Sequence, residues 1–277
     1  MLGEGAIVAG NSKDPGRSVT SRVLSILDAF DIDHPRLSLS EIARRTGLPL
    51  ATTHRMVHEL TEWRGLERGE DGLYGIGLRL WEVGLLGPLS VRLREVALPF
   101  MQSLYESTRE NVQLAVRDGL DALYVEKLSG HHSVPIVTRI GGRLPMHATR
   151  VGKALLAYQP DDFVHRYLDR PLERLTPYTV VEPGRLRRDL AGVRERGYAV
   201  TSEEMTVGSC SLAAPILDSA GTAVAAVSIV VHAVRIEPDK LATPVQTAAR
   251  NIGARLATTD EVPSSGVSRE PLLPTRH

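Results

Sequence analysis

Residues 38–60 read SLSEIARRTGLPLATTHRMVHEL, and this stretch decides the fold of the first part of the chain. Ser38 followed three residues later by Glu41 is a capping box, which predicts the start of a helix because each side chain binds a free backbone N–H group. Gly47 is suited to end that helix in a left-handed conformation, and Pro49 is suited to begin the next one. Two short helices joined by a tight turn that contains glycine form the helix-turn-helix pattern.

The segments on either side of this motif complete a larger domain. Residues 18–30 carry apolar side chains at helical spacing and predict an amphipathic helix. Two short extended runs, 66–68 and 73–76, flank a turn with glycine at both ends, which predicts a hairpin because glycine tolerates positive φ angles. A helix-turn-helix followed at once by a hairpin is typical of a winged helix. We therefore predict a winged helix-turn-helix domain over residues 17–80.

The second helix of the motif is predicted to present short polar and basic side chains to solvent. Reading a major groove requires such side chains near the start of the helix, and arginines on neighbouring elements would contact phosphates. A solvated surface without function has the same composition, but the wing favours DNA binding. The candidate DNA-binding residues are Arg22, Ser38, Arg44, Arg45, Ala51, Thr52, Thr53, His54, Arg55, His58 and Arg68.

The charge balance limits how this domain could bind DNA. The 277 residues carry 33 basic and 33 acidic side chains, so the formal net charge is zero. Residues 17–80 contain as many acidic residues as arginines. One copy should therefore bind DNA weakly, since affinity depends on phosphate contacts by basic side chains. We predict a symmetric dimer on a pseudo-palindromic site in double-stranded DNA.

Several other classes of protein are disfavoured by the sequence. No apolar stretch approaches the ~20 residues that span a bilayer, and the N-terminus does not resemble a signal peptide, so we expect a cytoplasmic protein. The single cysteine, Cys210, permits neither an internal disulfide nor a Cys-rich zinc site, and nearby acidic residues should raise the pKa of its thiol. His131 and His132 would point to opposite faces of a strand, which disfavours a joint metal site with His147. No catalytic motif is present, and Gly152–Ala154 lacks the features of a P-loop; no catalytic residue, metal or cofactor is predicted.

The rest of the chain divides into a linker and a second domain. Gly84, Gly87 and Pro88 predict a bend or a break in an otherwise helical linker. Both ends of the chain lack periodicity and are predicted to be disordered tails. The predicted boundaries are 1–16 for the first tail, 17–80 for the winged helix, 81–98 for the linker helix, 99–258 for the second domain and 259–277 for the second tail.

The second domain is predicted to mix helices and strands, an α/β (α+β) arrangement. Runs 211–217 and 222–232 are rich in Ala, Val and Ile and predict neighbouring strands buried on both faces. Ser228 lies inside the second run, so its hydroxyl needs a partner, either the backbone or a ligand. The other predicted elements are a helix over 93–109, a hairpin of strands 111–117 and 120–128, a strand over 134–139, a helix over 182–196 and a strand over 198–201.

The loop 146–151 comes directly before a predicted helix start near Gly152. A helix N-terminus offers free N–H groups and a partial positive charge, which suit an anion. Arg150 could hold a carboxylate through two parallel hydrogen bonds. The alternative is that Arg150 and His147 cap the helix or pair with the acidic residues at 203–204.

Stretches in both domains resemble the IclR family of bacterial transcription regulators. Their order and spacing are specific, and they extend over about residues 18–257. In the first domain they are Ser18-Val-x-x-Arg22-x-Leu-x-Ile-Leu27, Leu39-Ser-Glu-Ile-Ala43, Thr46-Gly-Leu-Pro49 and His54-Arg55-Met-Val-x-x-Leu60. In the second domain they are Arg143-Leu-Pro-Met-His-Ala-Thr-Arg-Val-Gly-Lys-Ala154, Arg196-Gly-Tyr-Ala-Val200 with Glu203-Glu204, and Gly208–Pro215.

The resemblance implies a winged helix, a linker helix and a GAF-like effector-binding domain, in dimers or tetramers controlled by a small molecule that is often an organic acid. It also implies that the loop 146–151 and the strand of Ser228 line the effector pocket. This chain has Ser211 where many members have cysteine and Thr201 where many have an acidic residue. The predicted effector-binding residues are Met146, His147, Thr149, Arg150, Val151, Thr201, Ser211 and Ser228.

The sequence thus predicts a transcriptional repressor whose affinity for its operator is controlled by an effector, expected to be a carboxylate, in the second domain. The alternatives are an architectural DNA-binding protein without an effector and a GAF-like enzyme with a DNA-targeting domain. An enzyme would turn over a substrate, and an architectural protein would bind DNA equally well whatever metabolite is present. A regulator would show coupling between the two sites, typically ~1–3 kcal/mol.

Overall fold

The computed structural model describes residues 17–130, 138–232 and 238–260. The chain divides into two compact units, Met1–Pro88 and Leu89–His277. Each unit has a hydrophobic core of its own. The predicted tail 1–16 lies outside the described residues, as does the predicted tail 259–277 apart from its first two residues, which end a helix.

The first unit is a winged helix-turn-helix, as the sequence predicts. Ser38 caps the second helix: the Glu41 amide donates to its hydroxyl at 3.3 Å, and the Ser38 amide donates to the Glu41 carboxylate at 2.8 Å. Gly47 ends that helix with φ +69°. The elements are α1 (Val19–Leu27), β1 (Arg36–Leu37), α2 (Leu39–Thr46), α3 (Leu50–Glu62), β2 (Leu66–Arg68), β3 (Tyr74–Ile76) and α4 (Leu78–Gly84).

The wing is a three-stranded antiparallel sheet in the order β1-β3-β2. The hairpin β2–β3 matches the predicted one, but β1 was missed because two residues are too few to show an alternating pattern. Beneath the wing, Ile26 of α1, Ile42 of α2 and Met56 of α3 are buried in one core with Leu66 of β2. This core fixes the orientation of α3 and leaves its other side in solvent.

The region between the winged helix and the second domain contains two helices. Helix α4 ends at Gly84, and α5 begins at Pro88 and continues to Thr108. The break therefore falls where the glycines and Pro88 predict it. The separate helix predicted over 93–109 is the continuation of α5, which passes through Pro99.

The second unit is built on a six-stranded antiparallel sheet in the order β6-β5-β4-β9-β8-β7. Helices α5 and α9 cover one face, and α6, α7 and α8 cover the other, which is the GAF-like arrangement that the resemblance implies. The strands are β4 (Asn111–Asp118), β5 (Asp121–Leu128), β6 (Arg143–Pro145), β7 (Ala199–Ser202), β8 (Ser209–Leu217) and β9 (Ala223–His232). The remaining helices are α6 (Arg150–Ala157), α7 (Asp161–Leu168), α8 (Pro183–Arg196) and α9 (Pro238–Asp260).

Three elements of this unit were not predicted: β6, α7 and α9. The strand predicted over 134–139 lies mostly outside the described residues, and its described residues, 138 and 139, are not in a strand. The adjacent buried strands predicted from the Ala, Val and Ile runs are β8 and β9, which pair with each other over nearly their whole length.

Candidate functional site

Helix α3 presents an exposed polar surface opposite its buried stripe. Ala51, His54, Arg55 and His58 are exposed on this surface, and Thr52 is half-buried. These positions occupy successive turns of one face and begin near the N-terminus of the helix. The surface therefore has the geometry that major-groove recognition requires.

Acidic neighbours hold several of the surrounding arginines. Arg55 lies 3.3 Å from Glu59, and Arg45 on α2 lies 2.6 Å from Asp31. The exposed Arg68 of the wing stacks on Tyr74 at 5.6 Å from the ring centroid, and Arg44 is exposed in the last turn of α2. Exposed pairs of this kind are weak, so a phosphate could replace the carboxylates.

Three of the candidate DNA-binding side chains have structural contacts instead. Thr53 is fully buried, and its hydroxyl donates to the Pro49 carbonyl at 3.1 Å. Ser38 is half-buried, with its hydroxyl occupied by the cap of α2. Arg22 is half-buried on α1 and already has an interaction within the chain. We correct the prediction for Thr53, because its side chain faces the core of the first unit.

The two faces of the six-stranded sheet differ in polarity. The face toward α5 and α9 is apolar, with Val227 and Ile229 of β9 in its core. Because side chains alternate along a strand, Ser228 lies on the opposite face, and the register places Gln113 of β4 directly beside it. Ser211 of β8 is on the same face. The register pairs it with Thr201 of β7, so four strands contribute buried polar side chains to this face. They form two neighbouring pairs, because Ser211 is opposite Val230 and Ser228 is opposite Ala213.

Arg150, the first residue of α6, lies over this polar face. Its side chain is buried, and its guanidinium donates to the amide oxygen of Gln113. The described residues provide no carboxylate within ion-pair distance of it. Burial lowers the pKa of Arg150, but a guanidinium stays protonated in proteins, so the polar face contains a positive charge without a counter-charge.

Unsatisfied polar atoms surround this charge. Arg150 Nε, Ser228 Oγ and Tyr124 Oη are buried and find no partner of hydrogen-bond geometry within the described part of the chain. Burial raises the pKa of the Tyr124 hydroxyl, and the nearby Arg150 and Thr149 oppose that rise. Buried polar groups normally find partners. Their grouping on one face indicates a site for a ligand with an acidic group and further polar atoms.

The other predicted effector-binding residues have different surroundings. Thr149 caps α6, accepting from the Gly152 amide at 3.2 Å, and Met146 and Val151 are packed in the core on the α6 face. His147 is held between the Tyr167 hydroxyl and the Glu173 carbonyl, and burial lowers its pKa. The structure therefore brings Arg150, Thr201, Ser211 and Ser228 to the polar face. The four other predicted residues, Met146, His147, Thr149 and Val151, instead cap α6, pack in the core or hydrogen-bond to neighbouring residues.

The acidic residues at 203–204 do not pair with Arg150 or His147, which was the alternative left open by the sequence. Glu204 accepts instead from Lys153 Nζ at 2.7 Å, and Lys153 also lies 3.1 Å from Asp189. Lys153 is almost fully buried. This ion pair joins α6 to the segment after β7, both of which border the polar face.

Comparison with known proteins identifies the family. The family model of the IclR helix-turn-helix domain matches residues 19–70, and that of the bacterial transcriptional regulator IclR C-terminal domain matches residues 89–254. The chain belongs to the IclR family of transcriptional regulators. It is 35% identical over 226 residues to the transcriptional repressor IclR of Escherichia coli (strain K12), a match that covers 80% of this chain and 82% of that protein.

Other IclR-family proteins are equally similar. The repressor AllR of Klebsiella pneumoniae is 32% identical over 257 residues, covering 88% of this chain and 92% of AllR. A crystal structure of an IclR homologue from Microbacterium hydrocarbonoxydans, in complex with 4-hydroxybenzoate, is 37% identical with a TM-score of 0.83, covering 86% of this chain and 99% of that one. These relatives are transcriptional regulators rather than enzymes, which sets aside the enzyme alternative. As an IclR-family regulator, the chain binds DNA through its first domain and a small-molecule effector through its second.

Four residues near the polar face were not predicted from the sequence: Gln113, Tyr124, Lys127 and Thr138. Gln113 lies within an apolar strand, as Ser228 does, so the argument applied to Ser228 could have found it. Tyr124 lies between the half-buried Leu123 and Val125 and carries no comparable signal. Thr138 and Lys127 are recognisable only from the structure, where the Thr138 hydroxyl accepts from Gln113 and the Thr138 carbonyl accepts from Lys127.

Cys210 lies one position before Ser211, the residue that this chain has where many members have cysteine. Its side chain lies on the face toward α5 and α9, opposite the polar face, as the alternation along the strand predicts. Burial raises the pKa of its thiol. Within residues 17–130, 138–232 and 238–260, no group of side chains is arranged to hold a metal ion; His131 and His132 lie outside these ranges. No helix in the same ranges is long and apolar enough to cross a membrane.

Proposed function

We propose that this regulator is a cytoplasmic repressor that binds a pseudo-palindromic operator as a symmetric dimer and is controlled by an organic acid. The acid binds with its carboxylate on Arg150 and its other polar atoms toward Ser228, Ser211 and Thr201. The observation that carries this proposal is the buried guanidinium of Arg150, which has an amide but no carboxylate as its partner in the described part of the chain.

The energetic argument favours an anion over a neutral ligand. A buried charge without a partner is costly, and a carboxylate can offer two oxygens to the fork of a guanidinium. The similar protein crystallised with 4-hydroxybenzoate supports the same ligand class, since that compound joins a carboxylate to a hydroxyl group. The hydroxyl of such a ligand would satisfy the buried oxygens of Ser228 and Tyr124.

The first domain supports binding as a dimer. Its arginines are matched in number by acidic residues, so we expect two copies to be needed for enough contacts with phosphates. Helix α4 and the residues just after it also expose large apolar side chains: Leu78 and Trp81 of α4 are 59% and 64% accessible, and Leu86, beyond its end, is 73% accessible. Exposed apolar surface of this extent is typical of an interaction site. We assign it to contact with a second copy of the chain.

Titration calorimetry with 4-hydroxybenzoate and a set of other carboxylates tests the effector site. Wild type should bind at least one acid, and Arg150→Ala should lose that affinity, whereas Arg166→Ala, which removes an exposed arginine of α7, should keep it. A wild type that binds none of the acids, or an Arg150→Ala variant that binds as well as wild type, would refute the proposed site.

Gel-shift experiments with the promoter fragment upstream of the gene test the regulatory function. The protein should retain the fragment as a dimer, and the acid found by calorimetry should change the affinity by about 5–150-fold, the range of typical coupling energies. Equal affinity with and without the acid would instead support the architectural alternative. Binding by a single copy to a half-site would contradict the dimer.

A further inference from the structure

Gln113 is the direct protein partner of the buried arginine. Its side chain is completely buried in β4, and its amide oxygen accepts from the Arg150 guanidinium. Its amide nitrogen donates to the Thr138 hydroxyl, and the Thr138 carbonyl accepts from Lys127 Nζ at 3.0 Å. Because a guanidinium can only donate, the amide oxygen must face Arg150, which leaves the amide nitrogen for the Thr138 hydroxyl.

The charges around Gln113 are arranged so that Arg150 keeps its own. The neighbouring acid on β5, Glu126, pairs with Arg94 of α5, which packs on the apolar face of the sheet. Glu204 is engaged by Lys153. A glutamate at position 113 would have nearly the same shape as glutamine and would give Arg150 a counter-charge. The neutral amide therefore orients the guanidinium without neutralising it.

We infer that Gln113 is a specificity-determining residue of the effector site: it positions Arg150 and, because it is uncharged, reserves the arginine's charge for an anionic ligand. The inference rests on the proposed function, since it assumes that the effector reaches Arg150. On this inference, the preference for acids over neutral analogues depends on both Gln113 and Arg150. An acidic side chain at position 113 would neutralise Arg150 from within the protein and remove the preference.

The first experiment compares 4-hydroxybenzoate with its neutral analogue 4-hydroxybenzamide by titration calorimetry on the full chain. Wild type should prefer the acid, and Gln113→Glu should reduce that preference at least tenfold, because the introduced carboxylate competes for the guanidinium and repels the ligand. A merely structural role for Gln113 would weaken both compounds equally and leave their ratio unchanged.

The second experiment needs no ligand and uses thermal unfolding of four proteins: wild type, Gln113→Glu, Arg150→Met and the double variant. In the wild-type background Gln113→Glu should raise Tm, since Arg150 gains a partner. In the Arg150→Met background the same change should lower Tm, because it buries an unpaired carboxylate. This reversal of sign is specific to a charge interaction between the two positions.

The results separate the two proposals. A wild type that binds neither 4-hydroxybenzoate nor any other acid of the calorimetry set better than the matching neutral amide refutes the proposed function, and this inference with it. A wild type that prefers the acid, with an unchanged ratio in Gln113→Glu or without the reversal in Tm, refutes the inference alone. If Gln113→Glu loses the preference for the acid, and its effect on Tm changes sign in the Arg150→Met background, then Gln113 is the residue that keeps the charge of Arg150 available to the ligand.

Discussion

The buried ion pair of Lys153 and Glu204 gives the sharpest prediction about stability. Lys153 is 1% exposed, and its ammonium group lies 2.7 Å from Glu204 and 3.1 Å from Asp189. Replacing Lys153 by methionine keeps most of the chain length and removes the charge. Glu204 then remains in the interior and keeps the Val180 amide, at 3.4 Å, as a hydrogen-bond donor, while the nearby Asp189 carboxylate disfavours its charged form.

The expected loss of stability in Lys153→Met follows from the cost of leaving the Glu204 carboxylate buried without its partner. Breaking such a pair typically costs about 3–5 kcal/mol of the free energy of unfolding. Asp189 is partly exposed and can turn to solvent, so the cost comes mainly from Glu204. At pH 8 we therefore expect Lys153→Met to lower the free energy of unfolding by about 3 kcal/mol, the lower end of this range.

The loss should depend on pH in a definite direction. Burial raises the pKa of Glu204 in the wild type, and Lys153 opposes that rise; without Lys153 the folded-state pKa moves further above the unfolded value. A carboxyl with a raised folded pKa binds more protons in the native state, so its contribution to stability falls as pH rises through the interval between the two values. The defect should therefore shrink on going from pH 8 to pH 5, by at most about 1.4 kcal/mol per pH unit.

Urea unfolding followed by circular dichroism at pH 5 and pH 8 measures both effects. Arg166→Met is the matched control, because it removes an arginine from an exposed pair with Asp162 and should leave stability close to wild type. The double variant Lys153→Met, Glu204→Gln should recover part of the loss, since it leaves no unpaired carboxylate at position 204. The reasoning fails if the defect is the same at both pH values or if the double variant is as unstable as Lys153→Met.

Three further substitutions test other parts of the molecule. Ser228→Ala should leave Tm unchanged or slightly higher, because it removes a buried hydroxyl without a partner, yet weaken effector binding in calorimetry; Ser209→Ala, which loses a 2.7 Å hydrogen bond, should lower Tm. Arg55→Ala should weaken operator binding in gel shifts while unfolding stays at the wild-type temperature, since Arg55 is exposed and its pair with Glu59 is an exposed one; a lowered Tm would contradict this. Ser38→Ala should reduce the stability of the first domain by about 1 kcal/mol in urea titrations, because it removes the cap of α2, and an unchanged midpoint would argue against that role.

The first domain could be predicted closely because its signals are local. A capping box needs only Ser38 and Glu41, and a helix end needs only Gly47. The inward stripe of α3 follows from helical periodicity, which is why Thr53 should have been assigned to the core rather than to the DNA surface. Strand β1 was missed because its pairing with β3 depends on residues far away in the sequence.

The second domain was predicted less completely because its site is assembled from distant strands. The runs of β8 and β9 predict buried strands, but the sequence does not show that β4 pairs with β9 and brings Gln113 beside Ser228. Helix α9 was overlooked, although Val245, Ala249 and Ile252 have helical spacing and are buried. The partner of Lys153 depends on a contact 51 residues away along the chain.

The uncompensated charge of Arg150 also bears on how the protein responds to its effector. A ligand that binds only the folded state stabilises it by an amount that grows with concentration, about 2.7 kcal/mol at a hundred times the Kd. If an acid binds on Arg150 as proposed, part of the cost of burying this charge is recovered only when the acid is present. An arginine with an internal carboxylate partner would make the free domain more stable, but the ligand would then have to displace that partner, and the difference between free and bound states would shrink. Because an effector can shift an equilibrium only by its differential affinity for the two states, a site that stays cationic keeps more free energy available for control of DNA binding.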